Sequence, residues 1–575
     1  MKRSTARDLL IIVIAVIAVL APFLNKAFHI DDPLFLWIAK QISVNPGDPY
    51  GFAVNWYTTS QPMSSIMQNP PLSSYYMALM ASFLGWSEPA MHGAFLVPAI
   101  AAVAGTFFLA RRLSGSPLLA GFLLLFMPVF LVSATGVMCD VWLLALWVWS
   151  IECWMRGLER NSFWLFLLAA ILAATAALTK YFGVALVPLL AAYTLVRERG
   201  LTHRLLYLSV PVVVISSYQL ITKAKYGQAL FSAAMLFSWK ETARPERHFF
   251  EQLCIGLSFA GGCLFPILFY VPFLKLRQRP AEAGSFAAES GKMPDFRILF
   301  PVITMFAVLV PLMYLGMASA VTSKSALVPV AIERALFVTT GTGILALALA
   351  DVIQRKTADS LLLALWVFGT FLFAAMMNWS ITSRTFLPMA PAVVILLIRR
   401  LQPDAISAAA VTGGKGLSIL PRKLSRQLQT HYTLLLPAAL VSLLIAGGDY
   451  KLANTARQAA SNFKERFQNQ SGNVWFEGHW GFQYYMQQWN AKPLDAKQGD
   501  VVSGDVLIVP INNTNVQRRV PLPAIDRREH INFPQFPATT MSSAIRAGFY
   551  SSLWGELPWA AAQVPPEPYL ILRIK

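Results

Sequence analysis

Long apolar runs separated by short polar stretches fill the chain up to residue 447. They lie at 9–25, 91–110, 116–133, 139–155, 162–178 and 181–196, then at 204–222, 250–274, 298–318, 331–350, 360–378, 385–398 and 432–447. Most approach the ~20 residues a helix needs to cross a bilayer core, where each span must satisfy its own backbone hydrogen bonds. The pattern predicts a mainly α, polytopic membrane protein with about thirteen transmembrane helices. At the start, Lys2, Arg3 and Arg7 precede apolar Leu9 to Leu24, which has the form of a secretory signal. Pro22 directly after Ala21 argues against cleavage there, so the first run is read as a retained helix.

Two of the polar stretches are long. The first, 26–90, is rich in Pro, Trp, Tyr and Met. It contains a moderately apolar segment, Leu72 to Trp86, which is read as a helix lying along the membrane surface. The second, 223–249, carries Trp239 and charges of both signs. Beyond residue 449 the apolar runs shorten. Val506 to Pro510 reads as a short buried strand after a Gly504-Asp505 turn, and Phe482 to Trp489 as a short helix. Two units are expected: a transmembrane domain over 1–448 and a small α/β domain over 449–575.

Composition supports the membrane reading. Hydrophobic residues make up 56% of the 575 and charged ones 13%, against roughly 25% charged in soluble domains. The net charge of +18 does not point to nucleic acid, because the basic residues sit mainly in short loops beside apolar runs. A cytoplasmic N-terminus gathers Arg111-Arg112, Arg156, Arg160, Arg197, Arg199, Arg204, Lys275, Arg277, Arg279, Arg355-Lys356 and the basic stretch 399–431 on that same side. The two long loops and the C-terminal domain then lie outside. Cys139, Cys153, Cys254 and Cys263 lie in or beside apolar segments, with neither disulfide nor metal-ligand spacing.

Residues suited to chemistry fall on the outer side. His29-Ile30-Asp31-Asp32-Pro33 follows the first span. Asp32 has a structural reading as helix N-cap with Pro33 at the first helical position, but this leaves Asp31 unexplained. Asp31 is the preferred general base. Gln68-Asn69-Pro70-Pro71-Leu72 reads as a polar loop over a cleft or as a plain turn. Asp140 opens a Trp-rich span and either marks a site or caps a helix. Lys180, Lys324, Arg334 and Arg384 are outward cations beside apolar segments. Lys180 and Arg384 are each the only cation in a tight turn between two spans, which suggests an anionic ligand such as a lipid phosphate. The chain has no GxxxxGK[ST] and no HExxH motif, nor a G-x-S-x-G with a triad to follow, which argues against ATP-driven transport, zinc proteolysis and serine hydrolysis.

The order of these pieces resembles the polyprenyl-phosphate-sugar glycosyltransferases of the GT-C fold, in the branch of protein O-mannosyltransferases and the lipid A aminoarabinose transferase. The pieces are the acidic pair after the first span, the Pro-Pro-Leu element, and Asp140 at the start of the fourth span. With them go Leu178-Thr179-Lys180-Tyr181-Phe182-Gly183 with Pro188, and Ser383-Arg384-Thr385-Phe386-Leu387-Pro388 with Pro391. Glu477 to Tyr485 and the Gly504-Asp505 strand are similar to the outer domain of bacterial members. The resemblance implies a GT-C-type bundle with a small extracytoplasmic α/β domain in a bacterial inner membrane. By position it implies Asp31 as the catalytic carboxylate, Asp32 as its acidic partner, and Asp140 as a second acid in the acceptor cleft. It implies Lys180 and Arg384 as the cations on the donor phosphate. Two departures stand out: the pair is Asp-Asp where the family often has Asp-Glu, and Gln68-Asn69 stands where the lipid A branch has a charged pair.

The activity so implied is inverting transfer of a sugar from a polyprenyl-phosphate donor to the hydroxyl of a lipid, glycan or protein acceptor. No cofactor is assigned and a divalent metal is left open. A lipid or sugar flippase is the alternative from another class; it would place charges at mid-membrane on several helices.

Overall fold

The computed structural model describes residues 2–575 apart from 68, 245–246, 275–323, 402–429, 496, 498–500, 515, 517–524 and 563. The expected span at 298–318, the basic residues Lys275, Arg277 and Arg279, and most of the basic stretch 399–431 lie outside the described residues.

The molecule is mainly helical and polytopic, as the apolar runs predict. Among the described residues, seven helices are long and apolar enough to cross a membrane: Thr5–Phe23, Glu88–Leu113, Tyr181–Glu198, His203–Tyr226, Val330–Arg355, Ala358–Met377 and Thr430–Phe467. Two bent pairs bring the number to nine if each is one span. They are Pro117–Leu125 with Pro128–Ala134, bent by 65°, and Phe249–Cys263 with Phe265–Phe273, bent by 75°. Pro128 and Pro266 stand at the breaks, where a missing N–H and a clashing ring interrupt the ladder. The expected thirteen is not reached by this measure. The runs at 162–178 and 385–398 fall on helices of only 17 and 12 residues, Phe163–Thr179 and Ala390–Leu401. The run at 139–155 falls on Asp140–Arg160, whose second half carries Glu152, Arg156, Glu159 and Arg160.

Close helix packing relies on small residues where lipid gives no hydrophobic drive to association. Helices Phe249–Cys263 and Lys324–Arg355 meet in this way. A Cβ on Gly261 would collide with the Phe337 carbonyl, and one on Gly341 with the Leu257 carbonyl. Gly341→Ala is therefore expected to destabilise the bundle by about 1–3 kcal/mol through overpacking, read as a lowered midpoint of thermal unfolding in detergent.

Of the basic residues grouped by the sequence on one side, Arg111, Arg112 and Arg399 meet at one end of the bundle. Arg111 Nη1 donates to Thr5 Oγ1 at 2.8 Å, and Arg112 Nε pairs with Glu152 at 3.2 Å. Arg399 donates to the Leu113 carbonyl at 2.7 Å and pairs with Asp351 at 2.9 Å. The opposite end gathers the long polar stretches. Residues 26–90 form the helices Asp32–Val44 and Leu72–Leu84 and a hairpin, Ala53–Asn55 with Ser60–Pro62, which the sequence reading did not contain. The two long stretches touch: Tyr226 donates to Asp48 at 2.7 Å and Gln228 to the Ser64 carbonyl at 3.1 Å.

The helix Leu435–Phe467 runs unbroken for 33 residues from the bundle into the C-terminal region. There a five-stranded sheet has the order Lys492–Pro493, Val474–Phe476, Val506–Pro510, Glu567–Ile574, Ile525–Phe533. The expected strand Val506–Pro510 is its buried centre, parallel to Val474–Phe476 and antiparallel to Glu567–Ile574. Gly504 takes φ +89° in the turn ahead of it, and Asp505 accepts from the Asn473 amide at 2.8 Å and from Trp475 Nε1 at 2.8 Å. The expected helix forms as Trp480–Gln487. This region clamps the first long stretch: Gln483 donates to the Asn55 carbonyl and Asn55 to the Leu494 carbonyl, both at 3.0 Å.

Candidate active site

Four of the residues singled out by the sequence converge, although they are up to 353 positions apart. Asp31 sits in the N-cap position of helix Asp32–Val44 but its side chain makes no cap bond there. It is 30% exposed and accepts from Arg384 Nη2 at 2.8 Å. The other guanidinium nitrogen, Nη1, lies 3.7 Å from Asp140. The second oxygen of Asp140 accepts from Lys180 Nζ at 2.7 Å. Charges thus alternate Asp31, Arg384, Asp140, Lys180 from a partly open edge inward to the buried Asp140 and out again to Lys180, which is 20% exposed.

Local structure explains each position. Asp140 begins helix Asp140–Arg160, where a negative charge is favoured by the unpaired amides of the first turn. Lys180 is the extended residue between helix Phe163–Thr179 and the 3₁₀ turn Tyr181–Ala185. The turn closes tightly because Gly183 lies against the backbone of Ala176 and Ala177, leaving no space for a Cβ. Arg384 is on the one-turn helix Ser383–Phe386, braced by the C-terminal region. The Ser383 amide donates to the Phe549 carbonyl and the Ser552 amide to the Ile381 carbonyl, both at 2.8 Å.

Asp32 is placed differently from Asp31. The chain turns at Ile30, with φ +48°, and Asp32 is the first helical residue rather than the cap expected of it. It is fully buried and accepts from the His29 amide at 2.8 Å and the Val137 amide at 2.9 Å. Burial pushes its carboxyl up to about 6, against the pull of Lys26 and the two amides. Both oxygens are thus occupied in tying the 29–32 turn to the segment ahead of Asp140. Of the other cations, Arg334 pairs with Glu556 at 3.2 Å, and the Lys324 side chain lies outside the described residues. Asn69 offers its carbonyl to the Tyr50 hydroxyl at 2.9 Å, while Gln68 lies outside the described residues.

Behind Arg384 is a second charged cluster that sequence reasoning missed. Lys26 and Asp449 form a wholly buried ion pair, 423 residues apart. Asp449 also accepts from Thr540 Oγ1 at 2.5 Å and from the Tyr550 hydroxyl at 3.0 and 3.1 Å. Lys26 donates as well to Thr135 at 3.2 Å. His29 lies 3.9 Å from Asp449, but burial holds its imidazole down at about 4, so the ring is neutral at neutral pH. The Tyr550 ring lies 5.3 Å from the Arg384 guanidinium carbon, joining the two clusters. The available signals were slight: a lone Lys just past the first apolar run, and a lone Asp at the end of the last one. Among the described residues no three His, Cys, Asp or Glu converge as a metal-ligand set.

Several solved structures are similar at low sequence identity. One is the Archaeoglobus fulgidus oligosaccharyltransferase tethered to an acceptor peptide containing the NVT sequon: identity 10%, TM-score 0.49, 86% of this chain covered. This chain spans 64% of that enzyme's length. The archaeal oligosaccharyltransferase AglB from Archaeoglobus fulgidus, in complex with an inhibitory peptide and a dolichol-phosphate, gives 12%, a TM-score of 0.49, and coverage of 89% of this chain and 70% of that one. ArnT from Cupriavidus metallidurans bound to undecaprenyl phosphate gives 13%, 0.43, and coverage of 87% and 93%. No curated protein sequence matches this chain. Residues 68–221, a stretch that contains Asp140 and Lys180, match the family model described as dolichyl-phosphate-mannose-protein mannosyltransferase, in keeping with the resemblance carried by the motifs.

Proposed function

We propose that this chain is an integral-membrane glycosyltransferase that moves a sugar from a polyprenyl-phosphate donor to an acceptor hydroxyl, with inversion at the anomeric carbon. The observation that carries the reading is the partly exposed Asp31 carboxylate beside two cations, Arg384 and Lys180, fixed on a shared buried Asp140. A base stands at the open edge, and the positive charge next to it is held in place before any ligand arrives. In one in-line step the acceptor oxygen forms its bond to the anomeric carbon while its proton passes to Asp31. The bond from that carbon to the phosphate oxygen breaks, and the electron pair leaves with the polyprenyl phosphate. Lys180 and Arg384 stabilise the charge developing there. Asp32 fixes the turn that aims Asp31 and takes no proton itself.

The setting is a bacterial inner membrane with a cytoplasmic N-terminus, and residues 449–575 form an extracytoplasmic domain over the transmembrane unit 1–448. The basic cluster around Arg111, Arg112, Arg399 and Arg400, at the end opposite Asp31, supports this orientation by the positive-inside bias. The acceptor is a lipid, glycan or protein hydroxyl. The flippase alternative calls for charges at mid-membrane, whereas the proposed site sits among the long polar segments at one end.

The test is transfer by the purified protein in nanodiscs offered radiolabelled polyprenyl-phosphate sugars, followed as release of free polyprenyl phosphate. No release with any donor, despite added membrane and cell-wall acceptors, would overturn the reading. Arg384→Ala and Lys180→Ala are each expected to lower transfer by about 10²–10³-fold, the typical cost of removing one oriented charge stabiliser. A panel that finds both variants at wild-type rates would remove these residues from the donor site.

A further inference from the structure

Arg384 is held by groups outside its own segment. The residue lies on a four-residue helix, and its guanidinium reaches Asp31 through one nitrogen and approaches Asp140 through another. Its Nε is buried with no hydrogen-bond partner among the described residues. Two carboxylates and the Met138 thioether hold the edge of the guanidinium, and the carboxylates are the groups a phosphate would displace. A second support is needed if Arg384 is to stay aimed when phosphate draws it from Asp31.

We propose that Tyr550, from the C-terminal region, is a positioning residue that holds Arg384 for the donor phosphate. The inference rests on the glycosyltransferase reading above and adds a residue from outside the transmembrane unit to the site. Three observations carry it. The Tyr550 ring lies 5.3 Å from the guanidinium carbon, within cation–π range. Its hydroxyl donates to Asp449, whose two oxygens are 3.0 and 3.1 Å away, and Asp449 is itself locked to buried Lys26. The ring therefore cannot swing away without breaking a buried bond. Finally, the Ser383 amide donates to the Phe549 carbonyl at 2.8 Å, so the residues just before Arg384 and Tyr550 are themselves tied. The His29 and Tyr550 rings also pack in a T-shaped contact, their centroids 5.6 Å apart.

A cation–π contact leaves every guanidinium N–H free to donate, whereas a carboxylate in the same place would compete with phosphate. Tyr550 thus fixes the plane of the guanidinium without neutralising it. The role is indirect: Tyr550 touches neither donor nor acceptor.

The test is equilibrium binding of undecaprenyl phosphate to the purified full-length protein in detergent, with wild type, Tyr550→Leu, Tyr550→Phe, Arg384→Ala and the Tyr550→Leu/Arg384→Ala pair. Tyr550→Leu is expected to weaken binding about tenfold, in line with a desolvated cation–π contact, and Tyr550→Phe, which keeps the π face but loses the bond to Asp449, to fall between Tyr550→Leu and wild type. In the Arg384→Ala background Tyr550→Leu is expected to cause no further loss, because residues acting through one another do not add. A purely structural role would weaken binding equally in both backgrounds, and that result would overturn the proposal. So would wild-type affinity in Tyr550→Leu. If Tyr550→Leu does not yield folded protein, Tyr550→Met keeps comparable bulk without the π face and carries the same expectation. Absence of lipid-phosphate binding by wild type would instead overturn the donor reading, and this inference with it.

Discussion

Asp31→Asn is expected to give a folded protein that still binds a polyprenyl-phosphate sugar and transfers it ~10²–10⁴-fold more slowly, the range that a general base contributes. The substitution keeps the shape of the side chain and an oxygen for Arg384, but removes the site that accepts the acceptor's proton. Stability should change little. Asp31 is 30% exposed, and although it occupies an N-cap position it makes no side-chain cap bond. Arg384 retains Asp140 at 3.7 Å and the face of Tyr550. Release of polyprenyl phosphate measured beside a thermal melt separates the two effects. Full transfer by Asp31→Asn would sink its assignment as base.

Asp449→Ala is expected to do the reverse, removing stability first. It strands Lys26, whose side chain is 1% exposed, as an unpaired buried charge. It also takes the acceptor from the hydroxyls of Thr540 and Tyr550. Breaking a buried pair from one side typically costs about 3–5 kcal/mol, so the folded yield in detergent should collapse or the melting point fall steeply. Replacing both partners, as Lys26→Met with Asp449→Leu, should recover much of the loss, because an apolar pair of similar bulk leaves no stranded charge. Equal melting points for wild type and Asp449→Ala would mean that the pair contributes nothing to the fold.

The parts of this molecule legible in its sequence are those with a local signature. Apolar runs of bilayer length mark the helices, and Val506 to Pro510 is a continuous apolar run that becomes the buried central strand. Lys180 and Arg384 stood out as single cations in tight turns and Asp31 as a carboxylate without a local role; the fold brings them together around Asp140. Run length alone did not reveal that 116–133 and 250–274 are broken, although Pro128 and Pro266 marked the breaks. The N-cap was assigned one residue late, because the positive φ at Ile30 turns the chain before Asp31. Lys26 with Asp449, and Tyr550 with Arg384, left almost no trace. Each is a contact between residues more than 150 positions apart, and single residues of ordinary type carry no hint of such partners.

Helix Leu435–Phe467 is unbroken. At 1.5 Å per residue its 33 residues span roughly 50 Å, well beyond a hydrocarbon core of ~30 Å. It acts as a mast, rooted among the spans and carrying the sheet at its far end. Asp449 lies partway along it, where it pairs with Lys26 just past the end of the first span. A gene rearrangement that grafted residues 449–575 onto a different bundle would bring half a helix and an acid without its base. The outer region is thus poorly suited to be shuffled between proteins as a cassette, and it is expected to be inherited together with the first span.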